Sequence, residues 1–300
     1  MLDTPLWIQV WEQKIAHIVI FAIFLLSIVV VMALKDSIAK KKALMNATTY
    51  VILSISFIYV GLVLKAQPTT TNLVIPLSAL KERQFPIGLF LLEPYIFLSF
   101  VFIAITVLLW GRGVFCGWLC PYGAMTELLI RLYKRILPRL RFSIPEKIHW
   151  KLVYLKYIIF VVIAGVSFYS FILSEYLTEI EPFRTFVLKL NREWYFVLYF
   201  ILVTLGSMIV YRAFCRYLCP LGAALAIPSF LKILPFIRLK RYDFCSSCKI
   251  CGRSCNPHAI TANGLIINRE CFNCMDCQVN FLDEDICPVL IKRKREERNA

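Results

Sequence analysis

The chain has 300 residues, 59% of them hydrophobic and 18% charged, with a mean hydropathy of +0.70. That balance excludes an ordinary soluble domain and points to a membrane protein. The formal net charge of +15 does not call for nucleic acid, because most basic residues flank apolar stretches, where anionic lipid and the positive-inside bias account for them.

Five apolar stretches, about 15–34, 48–66, 86–110, 152–174 and 194–213, satisfy the rule of ~20 residues per bilayer crossing. The first is too long and too far from the N-terminus for a cleaved signal, and no small-residue cleavage site follows it. Lys35, Lys40, Lys41 and Lys42 follow the first stretch, and Arg112, Arg131, Lys134, Arg135, Arg139, Arg141 and Lys147 follow the third. These loops are assigned to the inside. The alternate loops, "QPTTTNLVIPLSALKERQF" and "SEYLTEIEPFRTFVLKLNRE", are poorer in basic residues or balanced by acids, and are assigned to the outside. An odd number of crossings then places the N-terminus outside and the last sixty or so residues in the cytoplasm.

Within the spans, Glu93 beside Pro94 is a candidate proton or quinone site, since an intramembrane carboxylate is functional by default; the competing role is hydrogen bonding to backbone freed at Pro94. Lys156, near the cytoplasmic start of the fourth span, reads as a snorkelling structural residue. His17 is the only span histidine, and a buried b-type haem takes two axial ligands, so haem is not expected.

A repeat, F-C-x-[WY]-L-C-P-x-G-A, covers Phe115 to Ala124 and Phe214 to Ala223, each copy after an apolar span. The two therefore read as a parallel duplication whose thiols, Cys116 with Cys120 and Cys215 with Cys219, sit at the cytoplasmic membrane face. In a helix, i, i+4 spacing would put each pair on one face, and Pro121 and Pro220 mark a break or a fresh helix start. Such thiols bind copper, form a redox disulfide, ligate a further cluster, or only pack as small hydrophobes.

From about residue 243 the cysteines crowd: C-x2-C-x2-C-x3-C, then C-x2-C-x2-C-x9-C-P. Triplets spaced by two let a tight loop wrap three corners of an iron–sulfur cube while the fourth ligand arrives from the other motif. That crossing predicts one [4Fe–4S] cluster on Cys245, Cys248, Cys251 and Cys287, and another on Cys271, Cys274, Cys277 and Cys255. The insertion "QVNFLDEDI" before Cys287 departs from the usual three-residue gap, and Asn263-Gly264 between β-branched runs signals a hairpin. The closing "KRKREERNA" reads as a solvated tail. No Gly-rich nucleotide loop, Walker motif or hydrolase triad occurs, so no catalytic residue is assigned and the chain reads as an electron-transfer component.

The fold class that follows is a polytopic α-helical membrane protein of about five transmembrane helices, 1–240, followed by a cytoplasmic two-cluster ferredoxin-like α+β module with a basic tail, 241–300. "FLLEPYIFLSF", "LLWGRGVFCGWLCPYGAMTELL", "EIEPFRTF", "NREWYFVLYF" and "FCRYLCPLGAALAIPSF", with the cysteine-rich end, resemble the membrane and ferredoxin part of the NosR/NirI family. The resemblance implies a bacterial inner-membrane electron-transfer and regulatory protein supporting a periplasmic nitrous oxide reductase in denitrification. Such proteins carry a periplasmic flavin domain ahead of the spans, where this chain opens with "MLDTPLWIQVWEQK". No flavin site is therefore expected in it, and the reading is of a fragment or a short form working with a separate periplasmic flavoprotein. Competing readings are a copper-handling cupric reductase like CcoG, a quinol-oxidising subunit like NapH that exchanges electrons with the quinone pool, and a redox-sensing regulator.

Overall fold

The computed structural model of the chain describes residues 5–82, 87–136, 144–188, 190–230, 239, 245, 248–261 and 263–299. The boundary drawn at 240/241 and the loop residues Arg139 and Arg141 lie outside the described residues.

Three helices are long and apolar enough to cross a membrane: Ile15–Ala33, Lys42–Val63 and Glu146–Tyr169. In the first, Phe21, Phe24, Leu25, Ile28 and Met32 recur at helical spacing and are buried, while Ile15, Val19, Ile23, Leu26 and Val30 remain exposed. A helix apolar on both its packed and its open face suits lipid rather than water. The third and fifth predicted spans form shorter apolar helices, Pro94–Leu109 and Trp194–Ile209, each of 16 residues. At the rise of an α-helix that is roughly 24 Å, under the ~30 Å of a hydrocarbon core. Local chemistry sets both lengths. Proline at the first helical position of Pro94–Leu109 has no N–H to give, and Glu93 before it turns away from helix (φ −108°, ψ 87°). The Trp194–Ile209 helix stops at extended Val210, and Arg212 follows in the left-handed region (φ 46°).

The Lys42–Val63 helix loosens into a π-helical stretch over Ser56–Val63. The Ser56 hydroxyl donates to the Trp118 carbonyl at 2.6 Å, and a Cβ on Gly61 would stand 2.8 Å from Cβ of Pro121. The Pro121–Ile136 helix therefore starts against the far end of this span and runs back beside it, with Arg131 5.1 Å over the Tyr50 ring. Beyond the π stretch, Ala66, Gln67 and Thr70 are buried although their backbone is irregular.

In the cysteine-rich end, sheet structure among the described residues is one antiparallel bridge, Ile260 to Ile266. It closes a turn at Gly264 (φ 80°), where the Asn-Gly signal placed a hairpin. The insertion before Cys287 forms most of the helix Asp276–Leu282 and a turn in which the Cys287 N–H donates to the Asp283 carbonyl at 2.9 Å. The final helix, Pro288–Asn299, is largely exposed and carries i, i+4 pairs Lys292–Glu296 and Arg293–Glu297.

Candidate functional site

The eight cysteines of the C-terminal module lie in two neighbourhoods of four. Cys245, Cys248, Cys251 and Cys287 line one cavity of about 490 Å³, so the inserted helix and turn carry the last cysteine back to the first triplet. Cys274 lies within electrostatic reach of Cys277, Cys255 and Cys271, which form the other quartet. The residue after the second cysteine of each triplet takes the same left-handed conformation: Lys249 at φ 66°, ψ −2° and Met275 at φ 63°, ψ −2°. That reversal turns successive N–H groups inward, the nest that favours anionic sulfur. The N–H of Asn273 donates to Sγ of Cys271 at 3.3 Å, and that of Ala259 to Sγ of Cys255 at 3.3 Å. Thiols in fours with N–H groups aimed at sulfur fit iron–sulfur ligation.

The repeated thiols converge on a different place. Cys116, Cys120, Cys215 and Cys219 line a single small cavity together with Gln67, Phe183 and Gly222. In neither copy do the two cysteines share one helix: Cys116 lies in a π-helical turn, Phe115–Leu119, which Cys120 leaves with φ −58°, ψ 116°, and Cys215 lies in the helix Ala213–Tyr217, beyond which Cys219 is extended at φ −66°, ψ 110°. Pro121 and Pro220 do open fresh helices, Pro121–Ile136 and Pro220–Ala226. The second cysteine of each copy accepts from the glycine three residues on: Gly123 N–H to Cys120 Sγ at 3.4 Å, Gly222 N–H to Cys219 Sγ at 3.2 Å. Gln67 and Phe183 belong to the two loops assigned to the outside, yet they share the cavity with thiols assigned to the cytoplasmic face. The cavity is therefore lined in part by those loops, and behind its thiols Cys116 and Cys215 stands a second wall, Phe272 of the cysteine-rich module.

That second wall is unusually close. A Cβ on Gly117 would stand 2.0 Å from the Phe272 carbonyl oxygen, and one on Gly113 2.5 Å from that of Cys271. The Trp118 indole N–H donates to the Asn273 carbonyl at 2.8 Å. Phe272 is fully buried, packs against Cys116 and Cys215, and lies between two guanidinium groups, Arg112 at 5.0 Å and Arg212 at 5.2 Å. One loop thus touches both a cluster-type quartet and the repeated thiols.

Ion pairs that sequence reasoning missed hold this contact. Glu270 receives Arg112 Nη2 at 3.0 Å, the Tyr157 hydroxyl at 2.9 Å and the Lys156 ammonium. Burial alone would raise the Glu270 carboxyl, but Arg112 and Lys156 outweigh it and hold the group below its ordinary value. Lys156 does not snorkel as expected; it is fully buried and points at the module, because a carboxylate there satisfies it. Glu127 is met likewise by Arg212 Nε at 3.1 Å and Arg131 Nε at 3.0 Å. Apart from the i, i+4 pair Glu127–Arg131, no spacing rule announces these partners, which stand 85 to 158 positions apart, though two arginines ahead of the two motifs were the available signal.

Glu93 is exposed, ends the helix break, and makes no side-chain cap. A buried carboxylate in the loops assigned to the outside is Glu181 of "EIEPFRTF", which takes the Thr70 N–H at 3.1 Å and the Thr70 hydroxyl. Burial pushes it up to about 7, against the lowering effect of Thr70 and of Arg184. Among the described residues no three His, Cys, Asp or Glu side chains converge on the spacing of a single bound ion.

A NosR family profile matches residues 243–298, and a 4Fe-4S binding domain profile matches residues 92–139 and 193–241, one match around each repeated motif. The regulatory protein NosR of Pseudomonas aeruginosa is 38% identical over 299 residues, which are 99% of this chain and 41% of that protein. Protein NirI of Paracoccus denitrificans is 38% identical over 292 residues, 97% of this chain and 42% of that protein. A shorter Pseudomonas aeruginosa NosR sequence is 41% identical over 87 residues, 86% of its length. The chain thus spans about two-fifths of the length of the two full relatives. No solved structure matches it.

Proposed function

The chain belongs to the NosR/NirI family, as its membrane and ferredoxin part, and from that premise we propose that it is a membrane-bound iron–sulfur electron carrier supporting nitrous oxide reduction. The observation that supports this reading best is the return of Cys287 to Cys245, Cys248 and Cys251, with the second quartet on a loop pressed against the repeated thiols. Two [4Fe–4S] clusters, one per quartet, would each accept and release one electron at a time. The chain's own contribution is to wrap the clusters, exclude water from the Cys271–Cys274 loop and hold that loop on the membrane helices.

In this reading five crossings place the N-terminus in the periplasm and the module in the cytoplasm of a bacterial inner membrane, with the two short helices completing their crossings within the protein. The redox partner is then a periplasmic nitrous oxide reductase, or a flavoprotein between it and this chain, with quinone as the alternative membrane partner. The convergence of four thiols on one cavity is what favours the second reading, copper handling, over simple packing.

Anaerobic purification in detergent with iron and sulfide analysis and EPR of the reduced protein tests the carrier. About eight irons per chain with two coupled reduced-cluster signals are expected. A protein that holds no iron–sulfur signal, or in which Cys248→Ser changes neither iron content nor electron transfer, contradicts it.

A further inference from the structure

The two repeats resemble each other in sequence, but their arrangement in space says more. Arg112, ahead of the first motif, donates through Nη1 to the carbonyl of Gly222 in the second at 3.2 Å. Arg212, ahead of the second, donates through Nη1 to the carbonyl of Cys116 in the first at 2.9 Å. A Cβ on Gly222 would stand 3.1 Å from Nη1 of Arg112, and one on Gly123 3.6 Å from Nη1 of Arg212. Each arginine therefore crosses to the other copy and lies against its motif glycine. The charges follow the same exchange: Arg112 faces Cys116 and Cys219, and Arg212 faces Cys215 and Cys120, one thiol from each copy in both cases. This is a local two-fold relation, and the cavity lies where the two copies meet.

Three further observations concern what such a cavity holds. Its volume is about 20 Å³, room for roughly one water-sized body, whereas the module cavity lined by four cysteines is about 490 Å³. Two backbone N–H groups point at sulfur, from Gly123 and Gly222. Each arginine shares its carboxylate with a second basic group, Arg112 and Lys156 on Glu270, Arg212 and Arg131 on Glu127. Two buried guanidinium groups facing the four sulfurs favour an anionic ligand set, and thiolates around a cation are one. The two segments matched as 4Fe-4S binding carry only two cysteines apiece, so neither can ligate a cluster alone.

We propose that Cys116, Cys120, Cys215 and Cys219 form one shared thiolate site for a compact thiophilic metal centre of one or two ions, placed between the ferredoxin module and the outer loops. Iron and copper both satisfy this chemistry. The sulfurs stand around the cavity without closing on one point, and binding draws them in by rotation about their Cα–Cβ bonds. The inference rests on the carrier reading for its use, but not for its existence.

The test compares metal content across variants of the full chain purified anaerobically: wild type, Cys116→Ser, Cys215→Ser and the double variant. One shared centre predicts that each single variant loses the same metal as the double, since either copy alone is half a site. The module's reduced-cluster EPR signal persists in all three, which shows that they fold and keeps this result separate from failure of the carrier reading. The lost metal, iron or copper, identifies the centre. Mass spectrometry after alkylation adds a second reading: the four thiols are protected in wild type and modified after a chelator strips the metal. Additive losses from the two single variants would overturn sharing. No metal beyond the module's own, with the four thiols alkylated or recovered as a disulfide, would overturn the site itself.

Discussion

The Arg112 guanidinium meets the Glu270 carboxylate at 3.0 Å with neither side chain reaching solvent, joining the start of the first thiol motif to the residue preceding Cys271. Exposed ion pairs contribute little, but a buried one whose partner is removed strands a charge in low dielectric. Here two cations would be stranded, Arg112 and Lys156, with the Tyr157 hydroxyl losing its acceptor as well. The pair therefore acts less as a source of net stability than as a fastening that tolerates no half.

Glu270→Gln is expected to destabilise the docked module by about 3–5 kcal/mol, seen as a fall in melting temperature and as new protease cleavage in the cysteine-rich end. Glu296→Gln, in an exposed pair on the final helix, serves as the control and leaves both unchanged. If the two variants behave alike, the network is not what fastens the module.

Gly117→Ala tests the backbone contact itself. The added methyl meets the Phe272 carbonyl at 2.0 Å, and backbone cannot step aside as a side-chain tip can. The loop must then lift from the Phe115–Leu119 turn and lose the Trp118 hydrogen bond to Asn273. Cluster EPR signals are expected to survive while electron transfer between the module and its acceptor falls at least tenfold, an energy of only ~1.4 kcal/mol if read as a barrier. Wild-type transfer with an unmoved melting temperature would show that the loop contact carries neither fastening nor electrons.

What was legible in the sequence follows from how local the physics is. The triplets, the proline starts at Pro121 and Pro220 and the Asn263-Gly264 turn are short-range features, and each reappears where the sequence placed it. The expectation that Cys287 joins the first triplet rests on the need of a shared cluster for a fourth ligand from the other motif, and Cys287 does line the same cavity as Cys245, Cys248 and Cys251. The thiol cavity was not legible. Helical periodicity cannot foresee a π turn at Cys116 that ends before Cys120, nor loops around Gln67 and Phe183 folding back onto thiols assigned to the opposite face. Lys156 was misread for the same reason: snorkelling is a default for a lysine without a partner, and its partner is 114 positions away.

The crossing of ligands makes a prediction that single-site reasoning does not. Cys287→Ser is expected to remove the same cluster as Cys248→Ser, each losing about four irons, and the pair together no more than either alone. Cys255→Ser should remove the other cluster and add to both. Parallel iron analysis of the four proteins checks this, and losses from Cys287→Ser that add to those of Cys248→Ser would undo the assignment.

Glu181 supplies the pH dependence. Buried and placed at about 7, it stays protonated in the folded chain over a range where an unfolded glutamate, ordinarily 4.5, has ionised. Between those values the folded state binds one proton more than the unfolded state, so stability falls as pH rises from about 4.5 to 7 and is flat above. The size is on the order of 3 kcal/mol by 1.36 kcal/mol per unit. Infrared difference spectra should show a protonated carboxyl band at pH 6 that fades by pH 8 and is absent from Glu181→Gln. That variant keeps a hydrogen-bonding partner for Thr70 without the charge, and its melting temperature should lose the downward slope across the interval. A band that titrates near the ordinary glutamate value would place Glu181 in contact with water and remove the reason for its burial beside Thr70.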